Sequence, residues 1–256
     1  MGVVNVTPDS FSDGGNTPEE ALKAARALIK EGADILDIGG ESTRPGAKPI
    51  SLDEELSRVI PVIEALSGEG TPVSVDTRHA GVMAAAIAAG VSIVNDVTAF
   101  EGDSQSLAVV ASSNASVVLM HMRGNPQNMQ DDPVYTDVVA EVYDYLSGRI
   151  AACQSAGITK GRIAIDPGIG FGKNLPHNLE LMRNLNVFSD LGCPLVLGVS
   201  RKSFIGQLSG QDAPALRLAG SLAAALSGVR RGAAIVRVHD VAQTRQALDV
   251  WRAIET

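Results

Sequence analysis

The chain has 256 residues, of which 45% are hydrophobic, enough for a sizeable core in one large domain and against disorder. Its 29 acidic and 21 basic side chains leave a charge of −8 with no basic stripe, which argues against a nucleic-acid partner. No apolar run approaches about eighteen residues, so no membrane partner or span is expected.

Short apolar runs recur, each followed by a helical pattern. The first strand is predicted over 3–6, in an opening MGVVNVTPDS that lacks a basic leader and predicts no secretory signal. A helix follows over 18–31, where Thr17-Pro18-Glu19-Glu20 reads as a cap with proline in the first turn. Strands at 35–38, 73–75 and 93–97 alternate with helices at 53–66, 79–89 and 104–112. A strand at 117–121 precedes a helix at 136–156, and one at 163–165 precedes a helix at 176–190. The last two pairs are 195–199 with 216–230, and 235–238 with 241–254. Gly32, Gly90 and Gly157 read as helix ends. Eight such units predict a parallel α/β sheet, and eight is the number that closes a (β/α)8 TIM barrel. An open doubly wound sheet is the alternative that the same alternation permits. No linker or repeat interrupts the pattern, so residues 1–256 are expected to form a single domain. Cys153 and Cys193 lack metal-ligand spacing and fit a reducing cytoplasm.

In a barrel, chemistry gathers where strands end. The ends carry Asn5, Asp37, Asp76, Asn95 with Asp96, His121, Asp166, Ser200-Arg201-Lys202, and Arg237 with His239 and Asp240. A lone aspartate there often only caps the next helix, which Asp76, Asp96 and Asp240 could each do. Lys202 and Arg237 could be structural ion-pair partners, while His79 and His177 fall on predicted helices as surface residues. Together, carboxylates, an amide and cations on one rim favour a binding site over isolated caps.

Two loops exceed ordinary βα connections. TPDSFSDGG (7–15) carries Phe11 and Asp13, and GGESTRPG (39–46) carries Thr43, Arg44 and Pro45; both have the character of lids. DPGIGFGKN (166–174) is no nucleotide loop, and its glycines are expected to let backbone approach a flat ligand beside Phe171. SRKSFIG (200–206) puts Lys202 and Ser203 at a helix start, a favourable place for an anion.

Taken together, NVTPDSFSDGG, GGESTRPG, VSVDT, IVNDV, LMHMRGNP, AIDPGIGFGKN, GVSRKSFIG and VRVHD resemble the stand-alone bacterial dihydropteroate synthase family over essentially the whole chain. The resemblance implies a TIM barrel, usually a homodimer. It also implies a folate-pathway transferase that joins 4-aminobenzoate to 6-hydroxymethyl-7,8-dihydropterin diphosphate with Mg2+. The products would be 7,8-dihydropteroate and pyrophosphate, and sulfonamides would mimic aminobenzoate.

By the same resemblance, the pterin would meet Asp76, Asn95, Val97, Met120, Asp166, Gly198, Lys202 and Arg237. Aminobenzoate would meet Phe11, Thr43, Pro45, Phe171, Lys202 and Ser203. The diphosphate would meet Asn5, Arg44, Arg237 and His239, with Asn5 also on the metal. Asp13, Arg44, Lys202 and Arg237 would carry the chemistry, expected to be ionisation to a pterin cation followed by attack of the arylamine. The family usually has residues before the first strand, so either a short first strand or a less well plugged barrel bottom is expected. Two other functions remain open at this point. One is a methyltetrahydrofolate methyltransferase that serves a corrinoid protein, disfavoured by the two lids and the SRKS segment. The other is a non-catalytic pterin-binding homologue, and the sequence leaves sulfonamide sensitivity open.

Overall fold

A computed structural model of the chain describes residues 1–7, 17–44 and 46–255. Eight parallel strands stand side by side in chain order. They are β1 Gly2–Asn5, β2 Leu36–Gly39, β3 Val73–Asp76 and β4 Ile93–Asp96, then β5 Ser116–Met120, β6 Ile163–Asp166, β7 Leu195–Gly198 and β8 Ala233–Arg237. The ring shuts through a parallel bridge between Gly2 and Val238. At that seam Val3 N donates to Val238 O at 3.0 Å and Val238 N to Met1 O at 2.9 Å. These contacts exclude the open doubly wound sheet, whose edge strands never meet. β1 is as long as β2 and β3 rather than short. At the seam's lower end, a cavity of about 190 Å³ opens among Met1, Ala33, Val238, Arg245 and Leu248.

The helices ring the sheet: α1 Pro18–Lys30, α2 Leu52–Leu66, α3 Ala80–Ala88, α4 Ser106–Ala111 and α5 Val138–Ser155. They continue as α6 Leu175–Arg183, α7 Ser203–Ser209, α8 Leu218–Val229 and α9 Val241–Glu255. Local chemistry sets their starts. Thr17 Oγ1 accepts from Glu20 N at 3.2 Å, with Pro18 in the first turn and Glu19 and Glu20 facing the helix dipole. Asn174 and His177 form a reciprocal capping box at α6. The predicted helix at 176–190 breaks at Asn184, and the remainder winds as a 3-10 turn, Leu185–Leu191. Gly192, with φ +65, ends that turn. The predicted helix at 216–230 starts at Leu218, after the 3-10 turn Pro214–Arg217.

Alternation along each strand divides two environments. Ile38, Val75, Val94, Leu119 and Ile165 are fully buried between sheet and helices. Each such side chain contributes about 1.5–3 kcal/mol of burial free energy. The alternate residues turn into the barrel, and toward the C-terminal ends of the strands these are polar.

Candidate active site

Strand register builds the site. Asn5 stands beside Gly39, Gly39 beside Asp76, and Asp76 beside Asn95. On the far side Met120 stands beside Asp166, and Gly198 beside Arg237. Gly198 sits where three side chains meet. A Cβ there would lie 3.8 Å from Lys202 Nζ, 3.9 Å from Asp166 Oδ2 and 4.0 Å from Arg237 Cβ. An ammonium, a carboxylate and a guanidinium stem therefore converge around Gly198 at the C-terminal ends of β6–β8, with buried Met120 beside Asp166 in the strand register.

Arg237 is the hub of the polar network. Its Nε donates to Asp37 Oδ2 at 2.6 Å and its Nη2 to Asp76 Oδ2 at 2.7 Å. Asn95 Nδ2 donates to the same Asp37 oxygen at 3.0 Å. Burial works against a charge on Arg237, but Asp37 and Asp76 push its pKa above the ordinary arginine value. Burial lifts the Asp76 carboxyl to about 7, although the Arg237 guanidinium pulls the other way. Asp76 thus titrates near neutrality, and its ionised form is a strong acceptor for ligand N–H groups.

Asp166 and Lys202 form the second half. Asp166 Oδ1 accepts from Gly168 N at 2.7 Å, and burial raises its pKa against the pull of Lys202. Lys202 donates to Ile169 O and sits 4.5 Å over the Phe171 ring. Burial lowers its pKa to about 8 against the pull of Asp166, so it remains a donor at neutral pH.

The anion-facing residues are more dispersed. Asn5 is half-buried at the end of β1, and its side chain has no hydrogen bond to another described residue. His239 Nδ1 lies 3.0 Å from Ser200 Oγ. Thr43 is half-buried, while Arg44 and Ser203 are exposed. The guanidinium of Arg44 makes no hydrogen bond to a described residue, so it stands outside the Arg237 network. Phe11, Asp13 and Pro45 lie outside the described residues.

Residues 1–239 match the family model described as "Pterin binding enzyme". A dihydropteroate synthase of Neisseria meningitidis serogroup C is 51% identical over 99% of this chain and 92% of its own length. The chain belongs to the dihydropteroate synthase family. The fold agrees throughout with solved members of that family. A Yersinia pestis dihydropteroate synthase in complex with a sulfonamide drug superposes with a TM-score of 0.96 at 43% identity, covering 100% of this chain and 93% of that one. One from Xanthomonas albilineans with 4-aminobenzoic acid gives 0.94 at 51% identity, covering 100% and 92%.

Several sequence-based readings need correction in this dihydropteroate synthase relative. Two glycines of the 166–174 segment face neighbouring protein backbone. A Cβ on Gly168 would lie 1.9 Å from His121 O, and one on Gly172 would lie 2.4 Å from Arg123 O. Both have positive φ, at +69° and +63°, so this loop lies backbone to backbone on the β5 loop. Asp96 points away from the mouth and organises its own turn, accepting from Thr98 N at 2.7 Å and Phe100 N at 2.9 Å. His79 is not a surface helix residue. It precedes α3, and its Nδ1 lies 2.6 Å from Glu55 Oε2, which is fully buried. His177 is half-buried in the α6 cap. Asp240 pairs with Arg201 at 2.6 Å.

Two supporting groups were missed. Asp37 was noted only as a strand end, although an acid inside the apolar run ILDIGG is itself a signal. Lys173, only 2% exposed, holds the glycine-rich loop together from within. Its Nζ lies 2.9 Å from His121 Nδ1, and 3.0 Å from both Gly168 O and Phe171 O. Burial and the nearby Lys202 push its pKa well down, and burial with Lys173 takes His121 down to about 2. Nearer the rim, Arg78 clamps Glu41 through bonds of 2.8 and 2.9 Å at the root of the 39–46 loop.

Proposed function

We propose that this chain condenses 6-hydroxymethyl-7,8-dihydropterin diphosphate with 4-aminobenzoate, giving 7,8-dihydropteroate and pyrophosphate. The observation that carries the reading is the convergence of Asp166, Lys202 and Arg237 around Gly198, with Arg237 bonded to Asp76 and Asn95 beside Asp76 in the strand register. A pterin presents adjacent ring N–H and amino donors together with a carbonyl acceptor. In this reading Asp76, Asp166 and the Asn95 carbonyl accept from the donors, and Lys202 donates to the carbonyl side. Met120 and Val97 pack against the flat ring, and Gly198 leaves room for it.

The reacting CH2 carbon lies toward the rim. Asn5, Arg44, Arg237 and His239 are assigned to the diphosphate, whose charge they offset as the C–O bond breaks. The departing pair of electrons leaves with pyrophosphate, and the electron-rich ring delocalises the positive CH2 centre. The neutral arylamine nitrogen then attacks and releases a proton. Phe11, Asp13, Thr43 and Pro45 are assigned to closing over aminobenzoate, with Asp13 steadying the cation and the closed loops excluding water. Phe171 and Ser203 are assigned to the aminobenzoate side, where sulfonamides would compete.

The donor set also bears on the metal. Among the described residues no cluster of three or more His, Cys, Asp or Glu could hold an ion. A single unbonded amide oxygen at Asn5 fits magnesium, which keeps several waters and binds chiefly through substrate phosphates. When bound there, magnesium would neutralise diphosphate charge. A homodimer is proposed from the family, supported by exposed Leu208, Leu216, Val250 and Ile254 on α7, the turn after it and α9. Sedimentation tests it. A cytoplasmic location is likewise proposed, and no described helix is long and apolar enough to cross a membrane.

The test of the site is Asp76→Asn. Losing a charged acceptor should weaken pterin binding about tenfold to a hundredfold. Binding at the wild-type level would remove Asp76 from the reading.

A further inference from the structure

We propose that Asp37 is a positioning residue that sets both the amide orientation of Asn95 and the place of Arg237 at the barrel mouth. The inference rests on the proposed reading of Asn95 and Arg237 as pterin contacts. Asp37 itself is too deep to touch a ligand. It lies two residues before Gly39 on β2, beside Val3 and Ser74, and none of its surface is exposed.

Its bonding is concentrated on one atom. Oδ2 accepts from Arg237 Nε at 2.6 Å and from Asn95 Nδ2 at 3.0 Å. Oδ1 is buried and makes no hydrogen bond to another described residue. A buried carboxylate with one oxygen uncompensated is costly, and a fold of this kind retains it where it does something an apolar residue cannot.

The first consequence concerns Asn95. An ionised carboxylate only accepts, so the amide must give its NH2 group to Asp37. That leaves the carbonyl oxygen of Asn95 free to accept from a ligand N–H. Without Asp37 the amide can turn over and present its NH2 end, which would repel those donors.

The second consequence concerns Arg237, which is held at two points. Nε is tied to Asp37, and Nη2 reaches Asp76 Oδ2 at 2.7 Å. A pterin that uses the Asp76 carboxylate competes for that oxygen. With Nε anchored, the far end of the guanidinium can give way while its charge stays at the mouth. Without the anchor, Asp76 becomes the sole partner of Arg237, and the pterin must break that pair.

The experiment titrates 6-hydroxymethylpterin into the full chain by fluorescence, with steady-state kinetics in parallel. The expected result for Asp37→Asn is a loss of at least about tenfold in pterin affinity. The KM for 4-aminobenzoate, at saturating pterin diphosphate, should stay within about twofold of wild type. A merely structural role would damage both substrates alike, and that outcome overturns the proposal, as does unchanged pterin affinity. If Asp37→Asn does not fold, Asp37→Glu keeps the charge beside Arg237 but displaces the carboxylate by a methylene. Its pterin affinity should also fall by at least about fivefold, and wild-type binding overturns the proposal. Asp76→Asn separates the two levels. If it too binds pterin normally, the site reading fails. If it loses pterin while Asp37→Asn does not, only the role of Asp37 fails.

Discussion

Replacing Lys173 with methionine removes a buried donor on which several carbonyls of the 166–174 loop and its neighbour His121 converge. In the native fold its Nζ serves His121 Nδ1 at 2.9 Å, Gly168 O and Phe171 O at 3.0 Å, and His121 O at 3.3 Å. Lys173 is 2% and His121 4% exposed, so bulk water does not take over those acceptors. Each buried acceptor left unmade costs about 1–3 kcal/mol. Part of that is offset, because methionine fills similar volume without burying a polar amine. The net loss expected is about 2–4 kcal/mol, which in a domain of this size lowers the thermal midpoint by about 5–15 °C. Urea unfolding followed by circular dichroism and by fluorescence of Trp251 measures it, with an unchanged slope expected. Pterin affinity should fall as well, because Ile169 O, which holds Lys202, lies in the loop that Lys173 ties down. A midpoint within about 2 °C of wild type would refute the reasoning, since the loop would then not depend on its buried amine.

Other expectations follow from the same geometry. Gly198→Ala places a methyl 3.8 Å from Lys202 Nζ and 3.9 Å from Asp166 Oδ2, distances that the protein tolerates but a ligand ring does not. Its thermal midpoint should stay near wild type while pterin affinity drops at least about tenfold, and unchanged affinity would move the ring elsewhere. Gly168→Ala should destabilise by more than about 3 kcal/mol, because its Cβ would lie 1.9 Å from His121 O at φ +69. A soluble variant with a wild-type urea midpoint would contradict the backbone packing. The Asp76 carboxyl rises from 3.8 to about 7 on folding, so the native state holds its proton through that interval. Its contribution to stability therefore falls as pH rises from about 4 to about 7, and is level above. Pterin affinity has the opposite slope: the ionised acceptor is needed, so binding should strengthen up to about pH 7 and then flatten. A pH series of pterin titrations checks this, and a profile with the same slope in Asp76→Asn would assign the titration to another group.

The barrel was legible because strand and helix periods are written plainly. Apolar runs such as VVLM, bounded by Ser116 and His121, and LVLG, after Pro194, locate strands that are covered outside by helices. The candidate site was legible for a related reason. Asp76, Asp166 and Arg237 end their strands and Asn95 is the last residue but one of β4, and parallel register brings strand ends to one rim whatever the loops do. What the sequence concealed is pairing across the barrel. Asp37 and Arg237 are 200 positions apart, and only closure of the ring brings them to 2.6 Å. The glycines of 166–174 advertised close approach without saying to what; Gly168 and Gly172 lie against the loop after β5, and Gly170 against Lys202. His79 looked like a surface residue because its acid, Glu55, lies on a different helix. The break at Asn184 is likewise local, where an amphipathic pattern continues but the winding tightens.

The most direct measurement of the proposed function is pyrophosphate release from 6-hydroxymethyl-7,8-dihydropterin diphosphate, with and without 4-aminobenzoate and magnesium. Sustained release should require the arylamine and the metal and should match 7,8-dihydropteroate one for one. Release that proceeds equally without 4-aminobenzoate, or no release from a folded protein that binds pterin, would contradict the account.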